Sequence, residues 1–597
     1  MPADVETDVL VVGSGPAGGS AALLLSTYGV ANIVVTKYGR LSDTPRAHIT
    51  NQRTMEVLRD AGIEDKVVAQ ATPQHLMGDT TFCSSLAGEE LGRLRTWYTH
   101  PLRQAEHDLA SPSAICDMPQ HLMEPVLAES AIARGTSFRY QTEYLSMEQD
   151  AGGVTATVRD RLRGDDYRIR AKYLIGADGG RSKVAEDIGL PMVGRMGVAG
   201  SINILFEADL TKYCAYRPST LYWVLQTGSD VGGIGMGLVR CVRPWHEWLI
   251  VWGYDIDGAP PDLTEEYARR IAHHLIGDDS VPVTIRSSST WTVNHQYAET
   301  YHRGRVFCAG DAVHRHPPSN GLGSNTSIQD AYNLAWKLKL VLDGTAGPEL
   351  LDTYSAERAP VGRQIVERAN RSIGETSRIF EALGLLSTGD HAQLRRNMDA
   401  RKLPTAEAEK QRRQLRDAIE FKNYEFNTLG VELNQRYASA AIVPDGGPPP
   451  VNPRDDELHH LPTTWPGAKV PHAWVARDRT RVSTLDLGGR GRFTVLAGVG
   501  GEGWVAAAAA VGAELGVPVA AVTIGPGADY EDVYGDWARL REIDDGGCLL
   551  LRPDNHVCFR ARTAVPDPAA ALGDALRRVL CLPLSRDPSS ARAATAA

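Results

Sequence analysis

The chain has 597 residues, too many for one hydrophobic core at roughly 100–200 residues per domain, so several domains are expected. Hydrophobic residues at 43% and charged residues at 23% match soluble globular proteins and exclude extended disorder. With 63 basic against 73 acidic side chains, a formal charge of -10 and no long Lys/Arg cluster, nucleic acid is excluded as a favoured partner.

The N-terminal stretch MPADVETDVLVVGSG is acidic before its apolar run and lacks the basic region and cleavage site of a secretory leader. No uncharged apolar stretch reaches the ~18 residues of a membrane span, so a soluble, cytoplasmic protein without a membrane partner is expected. Asp8 to Val12 reads as a buried parallel strand and Ala17 to Tyr28, rich in small residues and leucine, as a helix packed on a sheet. Between them Gly13, Gly15 and Gly18 stand in GxGxxG spacing. The first permits a tight turn, the second lets a pyrophosphate approach the backbone, and the third lets helix and strand pack closely. A purely structural glycine turn is the alternative, and the strand-turn-helix context favours a dinucleotide site. The carboxylate expected at the end of the second strand is replaced by Thr36 and Lys37, which leaves the sugar to a hydroxyl or a backbone group and weakens a case for NAD as the bound dinucleotide.

Further on, Tyr173 to Ala177 is an apolar strand running into Asp178-Gly179-Gly180-Arg181-Ser182 and a helix. Val306 to Ala309 runs in the same way into Gly310-Asp311, a loop of prolines and small residues, and the helix SIQDAYNLAWKLKL. Two strands thus deliver an aspartate to a turn, where a carboxylate can accept hydrogen bonds from sugar or ribityl hydroxyls. Between these motifs, SINILFEADL, TLYWVLQTG, VGGIGMGLVR and EWLIVWGYDID are strand-like and point to a separate sheet.

These three motifs, in this order, resemble those of the class A flavoprotein monooxygenases, the group that includes p-hydroxybenzoate hydroxylase and phenol hydroxylase. GADGGRS looks like the family's DG motif and GRVFCAGDAVHRHPPSNGLGSNTSIQDAYNLAWKL like its GD motif, the likeness running from Asp8 to about Asn370. SDTPRAHITNQRTMEVLRDAGI and NTLGVELNQRY look most like the 2,4-dichlorophenol 6-monooxygenase branch. The resemblance implies bound FAD, transient NADPH or NADH, and hydroxylation of a phenolic or hydroxylated heteroaromatic ring with O2 through a C4a-hydroperoxyflavin.

It also implies roles for particular residues. Asp311 would hold the ribityl chain, Pro318 would lie beside the substrate, and the backbone of Gly321, Gly323, Ser324 and Asn325 would line the pyrimidine end of the flavin. Arg46 and Gln120 would meet the flavin phosphate and ribityl region, and Asp178 the flavin or the NADPH side. Ala185 stands where the DG motif commonly carries arginine, which puts a nicotinamide-handling role for that helix in doubt. His48 falls where phenol hydroxylase has an active-site acid, and an imidazole of pKa near ~6.5 can take a phenolic proton at neutral pH; a neutral histidine packed at the flavin edge is the alternative. Tyr222 is a candidate substrate contact from the middle sheet, against the plainer reading of a half-buried strand aromatic. His314 and His316 have poor zinc spacing, and no metal is expected.

The domain reading is an α/β, Rossmann-like FAD-binding domain over residues 1–195 and 295–375, a substrate-covering β-sheet over 196–294, a helical segment and linker over 376–450, and a C-terminal domain over 451–597. In that last domain RFTVLAGVG, PVAAVTIG and GCLLLRPDNHVCFR alternate with WVAAAAAVGAELG and PAAALGDALRRVL, and it resembles the thioredoxin-like tail of phenol hydroxylase-type enzymes. The eight cysteines are scattered without a CxxC, so the tail is not expected to be redox-active, and a disulfide reductase is disfavoured. A homo-oligomer is expected, the helical segment being one candidate contact. A monooxygenase tailoring a polyketide or hydroxypyridine ring and a non-catalytic flavin-binding sensor are the remaining alternatives.

Overall fold

The computed structural model describes residues 4–226, 237–386 and 390–584. Its first sheet runs in the order His302–Arg303, Val306–Cys308, Asp166–Gly176, Val5–Val12, Asn32–Val35 and Ser137–Arg139, with two antiparallel strands, Thr142–Asp150 and Gly153–Asp160, alongside. Val5–Val12 lies parallel to both Asp166–Gly176 and Asn32–Val35, and its last four residues are all buried, as two-sided cover by helices requires. Register places Val12 opposite Gly176 and Gly176 opposite Cys308. The turns after these three strands therefore leave the same edge of the sheet, where open α/β sheets bind their ligands.

Helix Pro16–Thr27 packs between helices Gln120–Ile132 and Gly323–Leu342. The last of these begins at Gly323, four residues before the expected SIQDAY start, so Gly323, Ser324 and Asn325 form its first turn and present free amides.

A second, eight-stranded sheet runs in the order His314–Arg315, Thr284–Ala298, Met192–Glu207, Glu247–Tyr254, Gly237–Arg243, Ser219–Val224, Asp79–Cys83 and Glu90–Arg95. The expected boundary at residue 195 falls inside Met192–Glu207, and the two strands between residues 79 and 95 come from the stretch assigned to the FAD domain. Thr284–Ala298 escaped the pattern reading because its run of serines, threonines and half-exposed positions lacks apolar alternation. Of the expected strands, the end of TLYWVLQTG and the start of VGGIGMGLVR lie outside the described residues. Helix Glu265–Ile276 covers one face of this sheet with Ala268, Ile271, Ala272 and Leu275.

The C-terminal domain carries a four-stranded sheet ordered Val519–Thr523, Phe493–Ala497, Cys548–Leu551 and Val557–Ala561; the first pair is parallel and the rest antiparallel. Helices Glu502–Leu515 and Pro568–Val579 pack together beside it. Arg552 and Asp554 of this domain meet Glu357 and Arg53 of the nucleotide-binding domain in a buried charge network. All eight cysteines are free thiols. Among the described residues no helix is long and apolar enough to cross a membrane, and no cluster of His, Cys, Asp and Glu could hold a metal ion.

Candidate active site

The first glycine turn is built as its spacing predicts. Gly13 has φ 106°, and a Cβ there would stand 2.1 Å from the Ala177 carbonyl oxygen; a Cβ on Gly18 would stand 2.1 Å from the Gly13 carbonyl oxygen. Gly15 is different: around its missing Cβ only Glu124 Oε1 lies within reach, at 3.9 Å, so the space before the helix is open. Helix Pro16–Thr27 has no side-chain cap, and its first amides face that space as an anion site. At the end of the second strand Thr36 is buried and accepts a hydrogen bond from Ser14 Oγ at 3.2 Å, whereas Lys37 is exposed beside the Tyr38 ring.

Gln120 opens helix Gln120–Ile132; its amide N donates to Ala47 O at 2.7 Å and its side chain to Glu124 Oε1 at 2.6 Å, while Glu124 Oε2 accepts from Ser42 N at 2.7 Å. Glu124 was not singled out from the sequence, because nothing local marks a helical glutamate that reaches a glycine turn more than a hundred residues away.

The two strand-end aspartates part company. Asp178 spends its carboxylate locally, accepting from Ser182 Oγ at 2.5 Å, Lys183 N at 2.8 Å and Val184 N at 3.2 Å, and so fixes the turn into helix Lys183–Asp187. Asp311 is exposed, yet the surrounding protein desolvates its carboxyl and raises its pKa, with His314, Arg315 and Arg46 opposing. Its side chain is thus accessible but partly desolvated, and no described hydrogen bond reaches its carboxylate oxygens. The Arg46 charge acts on both Asp311 and Glu124, and Glu124 in turn accepts from Gln120 and faces Gly15, so the structure gathers Arg46, Gln120, the Gly15 turn and Asp311 in one neighbourhood. Open space at Gly15, two helix N-termini without side-chain caps and an unbonded carboxylate between them fit a dinucleotide with a polyol chain such as FAD.

The loop after Asp311 is held from beneath. Asp330 accepts from Gly310 N at 3.1 Å, pairs with His314 Nε2 at 2.8 Å and meets Arg358 Nε at 2.8 Å, which explains why His314 is buried structure and not a ligand. Pro318 is exposed and precedes the short turn Ser319–Gly321, where Gly321 has φ 63°. The Asn325 side chain is a tie: Nδ2 donates to Gly321 O at 2.6 Å and Ile49 O at 2.8 Å, and Oδ1 accepts from Asn51 N at 3.0 Å. It joins the GxN loop to the segment that carries His48.

His48 Nδ1 lies 3.0 Å from Asp117 Oδ2, and Asp117 Oδ1 lies 3.6 Å from Arg240 Nη2. Burial and the Arg240 charge hold the imidazole pKa below its ordinary value, with Asp117 opposing; His48 holds the buried Asp117 carboxyl low. Next to His48 stands the Trp97 ring, 6.5 Å away between centroids, followed by Phe426, Trp223 and Phe82 in one aromatic cluster. Trp97 and Tyr98 both adopt left-handed backbone, φ 56° and 61°, held by Trp97 N to Phe426 O at 3.3 Å and Tyr98 N to Asn427 Oδ1 at 3.0 Å.

Tyr222 does not belong to this aromatic cluster. Leu221 pairs with Arg240, so these two share one face of the cover sheet, whereas Tyr222 pairs with Val239 on the other. There it is fully buried against Trp248 beneath helix Glu265–Ile276, its hydroxyl donating to Arg217 O at 3.3 Å. Its neighbour Trp223 is the aromatic that faces the cluster. Asp117, Arg240, Trp97 and Trp223 escaped the sequence reading. The available signal was a charge inside an apolar run, Arg240 in GLVRCV and Asp117 in AICDM, since such a charge is seldom buried without a partner.

The family model described as FAD binding domain matches residues 6–369, and the one described as aromatic-ring hydroxylase, C-terminal, matches residues 463–583. The chain is 58% identical over 576 residues to 2,4-dichlorophenol 6-monooxygenase of Delftia acidovorans, covering 96% of this chain and 98% of that protein. It is 50% identical over 581 residues to phenol 2-monooxygenase of Pseudomonas sp. (strain EST1001), covering 97% and 93%. Among solved structures it is similar to the flavin-dependent monooxygenase PieE in complex with FAD and substrate, with 45% identity, 98% and 100% of the two chains covered, and a TM-score of 0.93.

Proposed function

This chain belongs to the FAD-dependent aromatic-ring hydroxylases, and from that premise we propose that it hydroxylates a small phenol, with His48 as the base that takes the phenolic proton. The chain is a single-component FAD-dependent monooxygenase of a phenolic ring. Bound FAD supplies electron transfer from NADPH or NADH and the activation of O2. The amides before Pro16 and Arg46 would hold the pyrophosphate side, Asp311 would accept from the ribityl hydroxyls, and the first turn of Gly323–Leu342 would stabilise negative charge at the pyrimidine end.

The observation that carries the reading is the Asn325 tie, which fixes His48 where the GxN loop and the aromatic cluster meet. Trp97, with Phe426 and Trp223 packed behind it, makes the surroundings of His48 apolar, which would favour a flat ring over water. Ionising the ring hydroxyl raises carbon nucleophilicity ortho and para to it, which is what a base at His48 provides. We also assign the C-terminal domain a thioredoxin-like fold without redox function: its strand order and directions support this, and Cys548 and Cys558 are buried strand thiols.

The test is a screen of simple phenols, chlorophenols, hydroxypyridines and polycyclic phenols for stimulated NADPH oxidation, with product mass measured. A simple phenol converted to a product one oxygen heavier is expected, and turnover of polycyclic phenols alone overturns the small-ring reading. Asp311→Ala is expected to lose bound FAD; yellow protein with unchanged FAD affinity removes Asp311 from the cofactor site.

A further inference from the structure

The base has two partners that the dinucleotide chemistry does not account for. Strand Ile49–Thr50 pairs antiparallel with Cys116–Asp117, Ile49 opposite Asp117, and Met118 N donates to His48 O at 2.6 Å. The backbone alone therefore sets the His48 ring against the Asp117 carboxylate. Arg240 arrives from the other sheet: its Nη1 donates to Pro45 O at 2.5 Å and lies 3.4 Å from Arg46 O, and its Nη2 faces Asp117. Asp117 and Arg240 side chains are each only 3% exposed, while His48 keeps 15%. Asp117 Oδ1 and Arg240 Nε and Nη2 lack hydrogen-bond partners. A buried ion pair that served only to pin two sheets together would be poorly built in this way, since unpaired buried charge and donors cost free energy.

We propose that Asp117 and Arg240 are positioning residues for the proton transfer, a proposal that rests on His48 being the base: Asp117 holds Nδ1–H and turns the free Nε2 toward the ring hydroxyl, and Arg240 holds Asp117 in place. Nε2 has no protein partner among the described residues, as a proton acceptor requires. In the step, the substrate O–H bond breaks and an Nε2–H bond forms; the electron pair stays on the substrate oxygen, and the proton returns to that oxygen as the product regains aromaticity. The imidazolium formed in between is balanced by Asp117. The charged and titratable groups that bear on this unit are Asp117 and Arg240 at His48, Arg243 at Asp117, Cys241 and Glu247 at Arg240, and His121, which feels Arg240 and Arg243. Burial, and after it the Arg240 cation, disfavour imidazolium and hold the ring's pKa below its ordinary value, which favours the proton-accepting form.

The experiment uses FAD-loaded enzyme and 4-nitrophenol, whose phenolate absorbs visibly, titrated across pH with the wild type, Asp117→Asn, Arg240→Gln and His48→Ala. Wild type is expected to ionise the bound phenol below the pH at which it ionises in water. Asp117→Asn is expected to bind it with little phenolate, hydroxylate a turned-over phenol on the order of 100-fold more slowly, and move the acid limb of the rate to lower pH. Arg240→Gln moves that limb to higher pH. Asp117→Glu is expected to restore most of the phenolate signal, which separates positioning from a fold defect. If Arg240→Gln fails to hold FAD, Arg240→Lys, which keeps the charge, is expected to leave the limb near its wild-type pH; a limb moved as far as removal of the charge would move it overturns the role given to Arg240. Wild-type enzyme that binds 4-nitrophenol without ionising it overturns His48 as the base. Wild-type ionisation together with unchanged signals and limbs in Asp117→Asn and Arg240→Gln overturns the positioning proposal alone.

Discussion

Replacing Arg552 with methionine tests what holds the C-terminal domain to the rest of the enzyme. Arg552 is completely buried and makes four charge-assisted bonds: to Glu357 Oε1 and Oε2 at 2.6 and 2.9 Å, and to Asp554 Oδ1 and Oδ2 at 3.0 and 2.5 Å. Glu357 would keep Lys337, Asn333 and Ser439, whereas the Asp554 carboxylate, whose residue meets Arg53 only through its backbone carbonyl, would keep only the neighbouring His556. Breaking a buried pair from one side costs about 3–5 kcal/mol. For unfolding of the C-terminal domain alone, a unit small enough for a urea slope of about 1–3 kcal/mol per molar, the midpoint followed by tryptophan fluorescence should fall by at least about 1 M.

The pH dependence gives a second check. Buried cations depress the Glu357 and Asp554 carboxyls below their ordinary range, so their contribution is present above the unfolded carboxylate pKa of about 4 and is lost as pH falls through the folded values. The difference between wild type and Arg552→Met should therefore narrow below pH ~4. A midpoint shift equivalent to less than about 0.5 kcal/mol at neutral pH would refute the assignment of this network as the interdomain lock.

Tyr222→Phe should leave FAD content and hydroxylation rate unchanged and cost about 0.5–1.5 kcal/mol of stability, because it removes one hydrogen bond on the far face of the cover sheet; a changed KM for substrate would return Tyr222 to the pocket. Asp60 accepts from Arg490 N at 2.8 Å, and burial pushes its carboxyl up to about 7. A raised carboxyl favours folding while protonated, so this stability is present below the unfolded pKa of about 4 and is lost as pH rises toward 7. Asp60→Asn should accordingly stabilise the protein more at pH 8 than at pH 5, read as thermal shifts at the two pH values; equal shifts would show that Asp60 is ionised throughout.

Much of the cofactor cleft was legible because its parts are local. A tight glycine turn leaves its mark at fixed offsets, and Gly13, Gly15 and Gly18 sit against Ala177, open space and Gly13 as that spacing requires. An aspartate at a strand end is equally local, but its fate is not: Asp178 is consumed by its own turn while Asp311 is left free, a difference set by which amides fold back on each carboxylate. The cover sheet was legible only where strands were apolar, and Asp79–Cys83 and Glu90–Arg95 joined it from a distance that no pattern of alternation records.

By itself the sequence determined the elements whose reasons lie within a few residues: the phosphate turn, the two strand-end aspartates, the α/β alternation of the C-terminal domain and the absence of a redox CxxC. Tertiary structure decided which face of strand Ser219–Val224 meets the aromatic cluster beside His48, that His48 is backed by Asp117 and Arg240, and that Arg552 reaches Glu357 across 195 positions. Those outcomes depend on register and on pairing between segments far apart in the chain. A one-residue slip reverses a strand's faces without altering its composition.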